Sequence, residues 1–243
     1  MRNIWTIAKR EYKLYFTSPI AYIVTISIFL ILGILFYISI IQSSTNNFAP
    51  EIQAVIGPLV TLLIFTTPAL TMRLLADEQR MGTLELLLTA PVKDFEIVVG
   101  KWLAGWLFLV TILLLTWIYP IILNQLVTPG IDQGTLLAVY LGLVLLTACF
   151  ISIGVAISAM FSNQIAAFFL SIGVLLVFWI IGYPATFTSG VAADVLRYLD
   201  MSEHFYNTFY RGIIELKDIV FYLSVTILAL VLGSTIIETR RWR

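Results

Sequence analysis

Charge is what this sequence has least of. Only 12% of its 243 residues are Asp, Glu, Lys or Arg, while 60% are apolar. A typical soluble domain carries about 25% charge and about 45–50% apolar residues. The mean hydropathy of +0.99 shows a general excess, not one greasy tail. A chain this short has too little interior to hide so much apolar surface from water, so most of it must face lipid. That excludes a soluble enzyme, a secreted disulfide scaffold and a disordered protein. The single cysteine, Cys149, excludes an intramolecular disulfide. The single histidine, His204, is expected to hydrogen-bond at an interface, because one imidazole does not make a metal site. Basic and acidic residues balance at 14 each, which leaves no electrostatic footprint for nucleic acid. No Gly-x-x-x-x-Gly-Lys-Ser/Thr loop is present to cradle a nucleotide; Gly100-Lys101 is followed by Trp102. No Asp, Glu, Lys, Arg or His falls deep inside a long apolar run. Proton-coupled carriers usually keep such groups at membrane depth, although sodium sites built from carbonyls need none. The chain carries no power source of its own.

Six apolar runs are long enough to cross a membrane as helices, each needing about 20 residues. They are 20–41, 52–72, 102–123, 136–160, 165–183 and 219–237. Between 133 and 193 no charge occurs; Phe161-Ser162-Asn163-Gln164 is the most polar point and marks the break between the fourth and fifth spans. The runs are apolar all round and lack the alternation of barrel strands. The fold class is therefore an all-α membrane protein with six transmembrane helices, read as one transmembrane domain over 1–243. Pro58 and Pro68 are expected to bend the second span, and Pro120 to end the third. Small residues from Gly142 to Ala159 give the fourth span a close-packing face. The first run is too long for a cleavable signal.

Lys and Arg fix the expected orientation. With the N-terminus inside, inner segments hold eleven: Arg2, Lys9, Arg10, Lys13, Arg73, Arg80, Lys93, Lys101, Arg240, Arg241 and Arg243. The outer segments hold three: Arg197, Arg211 and Lys217. Both termini are expected in the cytoplasm, with the chain in the cytoplasmic (inner) membrane.

Three segments outside the spans are informative. Residues 1–18 read as an amphipathic helix, with Ile4, Trp5, Ile7, Ala8, Tyr12, Leu14, Tyr15 and Phe16 on one arc and Lys9, Arg10 and Lys13 opposite. Glu11 is the misfit on the apolar arc. The helix serves as a lipid-surface anchor or as an elbow that touches a partner. The loop 73–101 carries four basic and five acidic residues, Glu78 among them, around Gly82-Thr83-Leu84-Glu85-Leu86-Leu87-Leu88-Thr89-Ala90-Pro91. Gly82 breaks the chain, Thr83 is an expected N-cap, Glu85 suits the first turn and Pro91 stops the helix. Leu84, Leu87 and Leu88 share a face that something must cover, either the bundle and its lipid or a docking partner. Residues 185–218 read as amphipathic helices in the outer interface.

The run from Leu75 through Asp77-Glu78-Gln79-Arg80-Met81-Gly82-Thr83-Leu84-Glu85-Leu86-Leu87-Leu88-Thr89 to Pro91, followed by Gly100-Lys101, resembles the signature of type-2 ABC transporter permeases. Ser18-Pro19-Ile20, Pro68-Ala69-Leu70-Thr71-Met72-Arg73, Asn163-Gln164-Ile165-Ala166-Ala167-Phe168 and Arg211-Gly212-Ile213 resemble the gliding-motility-associated subgroup. The resemblance covers essentially the whole chain. It implies a permease subunit that is not itself an enzyme and that pairs with a second copy or a related permease. ATP and magnesium would be bound by a separate ABC ATPase subunit. Residues 83–89 would be the coupling helix in a groove of that ATPase, with Glu78, Gly82 and Pro91 framing it. The elbow, with Trp5, Lys9, Arg10 and Lys13, would touch the same partner and membrane lipid. An amphiphilic or lipid-like substrate would be moved outward. A membrane anchor for an ATPase doing mechanical or assembly work would use the same architecture without moving a substrate; a channel or secondary carrier would bind no ATPase.

Overall fold

The computed structural model describes residues 2–46, 50–83 and 92–241, the side chains of 2, 240 and 241 excepted. Those residues are built from helices. In chain order they are α1 (Arg2–Thr17), α2 (Pro19–Asn46), α3 (Gln53–Thr71), α4 (Ala76–Arg80), α5 (Asp94–Leu115) and α6 (Ile118–Leu126). Then come α7 (Gln133–Met160), α8 (Gln164–Ile180), α9 (Val191–Leu199), α10 (Met201–Tyr206) and α11 (Leu216–Arg241). Six stretches are long and apolar enough to cross a membrane, with α5 and α6 together forming the third. The protein is an all-α, multi-pass membrane protein.

Helix α7 is the central post. It packs against α11, α5, α3 and α8, and it is the most buried span, whereas α2 and α8 are the least. Its small residues explain this position. A Cβ on Gly154 would collide with the Thr71 side chain of α3, and one on Gly142 would collide with Phe209. With hydrogen in place of a side chain, both neighbours seat directly on the helix backbone, the arrangement small residues permit between membrane helices.

The third span breaks earlier than Pro120 suggests. Helix α5 ends at Leu115, and Pro120 lies in the first turn of α6, which runs on to Leu126. The proline thus begins a helix and does not end the span. A proline ring clashes with the carbonyl four residues before it and cannot donate to it. That carbonyl belongs to Thr116, where the break lies. It accepts instead from Tyr119 N at 3.1 Å, while the Thr116 hydroxyl donates to the Leu113 carbonyl (2.7 Å) and meets the Tyr140 hydroxyl (3.0 Å). Between the fourth and fifth spans the chain leaves helix after Met160 and resumes at Gln164. Asn163 caps α8, its Oδ1 accepting from Ile165 N and Ala166 N.

Residues 183–211 fold into short helices and turns on the bundle end away from α1. His204 hydrogen-bonds and is buried in the packing of this segment. Its Nδ1 is 2.6 Å from Asp218 Oδ1, and its Nε2 donates to the Tyr198 carbonyl at 2.9 Å. The ring stacks on Phe221 at 4.0 Å. Burial raises the titration range of the Tyr206 and Tyr210 phenols in the same segment.

Candidate coupling site

Helix α1 lies along α5. Asn3 Nδ2 donates to Glu96 Oε2 at 3.0 Å, and the Tyr12 and Thr111 hydroxyls meet at 2.9 Å. The Tyr15 ring stacks on Phe108 at 4.7 Å. Ala8, Glu11 and Tyr15 form the buried stripe, while Trp5, Lys9, Arg10 and Lys13 are exposed. The spacing of 8, 11 and 15 is one helix face. Glu11 is therefore not a misfit: it lies at the centre of the buried face because a cation waits there.

That cation is Lys101. It sits on α5 with its side chain 1% exposed. Its Nζ lies 2.8 Å from Glu78 Oε1 and 3.3 Å from Glu11 Oε1. Arg10 Nη2 closes the group, 2.7 Å from Glu11 Oε1 and 3.8 Å from Glu78 Oε1. The hydrogen bond to Glu11 raises the titration range of Arg10, and the charges of Glu11 and Glu78 reinforce it against the cost of desolvation. Two cations and two anions leave no net charge. Three elements are thereby tied at one point: the N-terminal helix, the third span and α4.

Helix α4 is held from its other side by the fourth and fifth spans. Ser158 Oγ accepts from Leu75 N (3.2 Å) and Ala76 N (3.1 Å) and donates to the Met72 carbonyl (3.2 Å). Gln79 Nε2 donates to the Ala159 carbonyl at 2.9 Å, and Gln164 Nε2 donates to Asp77 Oδ1. Consecutive residues on a helix face different ways. So Glu78 reaches α1 and α5, while Asp77 and Gln79 reach α7 and α8. A five-residue helix has little cohesion of its own, and these side-chain bonds hold it.

Gly82 follows directly, with φ at +69°, the left-handed region that glycine enters freely. The Thr83 hydroxyl donates to the Glu78 carbonyl at 3.3 Å, tying the residue back to α4. Leu84, Glu85, Leu86, Leu87, Leu88, Thr89 and Pro91 lie outside the described residues. The structure thus joins Glu78 and Arg10 in one cluster, with Gly82 and Thr83 at the exit of α4. Trp5, Lys9 and Lys13 lie apart from that cluster on the exposed face of α1. Reading the sequence did not place Glu11, Lys101, Ser158 or Gln164 among the site residues. Their signals were an acid on an apolar arc, a lysine entering a span, a serine among small residues and a glutamine at a helix start.

A family model described as ABC-2 family transporter protein matches residues 5–241. No curated protein matches the chain. The match takes in the N-terminal helix, all six candidate spans and the clamped segment between the second and third. The chain accordingly belongs to the ABC-2 transporter family and is a membrane permease component.

Proposed function

We propose that the chain is the transmembrane subunit of an ATP-driven exporter that moves an amphiphilic or lipid-like molecule. In this reading the whole chain is one permease domain in the cytoplasmic membrane with both termini inside. It pairs with a second copy or a related permease. Each permease docks one ABC ATPase, which binds ATP and magnesium. Residues 83–89 form the coupling helix, and the exposed face of α1 contributes to docking. The resemblance to the gliding-motility-associated subgroup is read as kinship of sequence and not as a role in gliding.

One observation carries the reading beyond family membership. Helix α4, which leads into the docking segment, is fixed at once to α1, α5, α7 and α8. A push delivered to residues 84–89 would be passed to four helices through short polar contacts, not absorbed by a slack loop. Coupling of this kind needs a contiguous physical connection with two arrangements, and α4 is its candidate.

The test is purification in mild detergent with identification of what accompanies the chain. A stoichiometric ABC ATPase, lost when Leu84→Asp and Leu87→Asp are combined in a permease that stays folded, is the expected result. Unchanged ATPase binding in that variant would remove the coupling assignment. Stimulation of ATP turnover by an amphiphile supports export; turnover indifferent to every amphiphile tried would favour the anchor role.

A further inference from the structure

A cavity of about 410 Å³ opens where α1, α2, α3 and α4 meet, within the range of small-ligand sites. Its walls are mixed in a particular way. Six charged residues line it: Arg10, Arg73 and Lys101 against Glu11, Asp77 and Glu78, three of each sign. The remaining wall is largely apolar, including Leu14, Pro19, Ala69 and Leu70.

Arg73 and Asp77 are the pair with capacity to spare. Arg73 Nη2 and Asp77 Oδ2 stand 3.8 Å apart, beyond hydrogen-bond distance, with the side chains 40% and 24% exposed. Arg73 spends one donor, Nη1 to Ser18 Oγ at 3.3 Å, and a guanidinium has five. Asp77 Oδ1 is taken by Gln164, and among the described residues no hydrogen bond reaches Oδ2. A planar guanidinium with free donors suits a phosphate, which it binds in bidentate fashion. A free carboxylate oxygen beside it suits an N–H cation.

The rim supplies a path for a tail. Pro19, Ile23, Ile26 and Leu30 fall on one face of α2 by their spacing, and all four are exposed. The face begins at the cavity wall and runs along the apolar span.

We propose that this cavity is a binding site for a phospholipid whose head group carries one phosphate and one primary ammonium, the phosphate on Arg73, the ammonium on Asp77 and the acyl chains along α2. The balanced lining selects the class. A lipid with net negative charge would leave an uncompensated charge in a partly buried site. A choline head is neutral overall but offers no N–H to Asp77 Oδ2. The site concerns binding alone and stands whether or not this lipid is the transported molecule.

Native mass spectrometry of the full chain in mild detergent tests it. The probes are dioleoyl phosphatidylethanolamine, phosphatidylcholine, phosphatidylglycerol and phosphatidylserine, with glycerophosphoethanolamine as the soluble arm. Phosphatidylethanolamine is expected to bind about tenfold more tightly than the other three, from two charge-assisted hydrogen bonds. R73Q and D77N should each erase that preference. A69F, which fills the cavity from its apolar wall and touches no charge, should abolish it, and serves if a charge variant does not fold. Equal binding of all four lipids, a best fit to an anionic lipid, or a preference intact in all three variants would overturn the proposal. Glycerophosphoethanolamine binding as tightly as the lipid would overturn the assignment to a lipid.

Discussion

Lys101 and Glu78 are 23 residues apart in sequence, yet Nζ and Oε1 meet at 2.8 Å in a place where the lysine is 1% exposed. A buried ion pair gains little over a hydrophobic replacement, but removing one partner strands the other. Here two anions, Glu78 and Glu11, depend on Lys101, with Arg10 only partly buried beside them. Lys101→Met should therefore cost about 3–5 kcal/mol. The double variant K101M/E78Q, which leaves the Arg10–Glu11 pair and no net charge, should recover part of that loss. Thermal unfolding of the purified protein in detergent, run as a double-mutant cycle, checks this. Purely additive losses would show that the cluster is not a unit.

The same cluster separates what could be read in the sequence from what could not. The six spans were legible because length and apolarity alone decide them. The amphipathic character of α1 was legible, but its buried face was read as facing lipid, although much of it faces α5. Lipid and protein are equally apolar partners, so periodicity does not tell them apart. Glu11 looked wrong for that reason: an acid in lipid makes no sense, while an acid against Lys101 does. Pro120 was placed correctly as a disruption and wrongly as an end, because the clash falls one turn earlier, on Thr116. Ser158 and Gln164 looked like packing residues and capping polarity. Their donors and acceptors arrive from α4, more than 75 residues away in sequence, and no local pattern announces that.

Two faces of α1 should respond differently to substitution. Glu11→Ala removes a buried anion from beneath Lys101 and should cost about 2 kcal/mol or more in bundle stability. The pair Lys9→Glu and Lys13→Glu changes exposed positions and should stay within about 0.5 kcal/mol. The comparison is a side-by-side melt in the same detergent. Equal losses would mean that α1 is not seated on α5 through the Glu11 stripe.

Close approach on the central post predicts a contrast between two glycines. Gly154→Ala pushes a methyl group into Thr71 and should cost about 1–3 kcal/mol, typical of overpacking. Gly173→Ala, on α8, meets nothing within 4 Å among the described residues. It should be neutral or stabilising by up to about 1 kcal/mol, since alanine favours helix over glycine. Thermal midpoints of the two variants decide the matter. A Gly154 variant as stable as wild type would mean that α3 and α7 can separate without penalty.

Gly82 isolates conformation from packing. Among the described residues a Cβ there would meet nothing within 4 Å, so a substitution crowds none of them. Its φ of +69° is what matters, because an L-residue pays about 1–2 kcal/mol to stay there. Gly82→Ala should leave the thermal midpoint of the bundle unchanged while biasing the chain away from the direction in which it leaves α4. If that direction aims residues 84–89 at an ATPase, the bias should lower permease-dependent ATP turnover by about tenfold, the equivalent of 1.4 kcal/mol. Gly82→Asn should lose less, because asparagine enters the left-handed region more readily than alanine. Turnover measured for the assembled complex, with the melt as control, tests both parts. Turnover equal to wild type in the alanine variant would mean that Gly82 does not aim the docking segment. A lowered midpoint would mean instead that residue 82 is part of the bundle's packing.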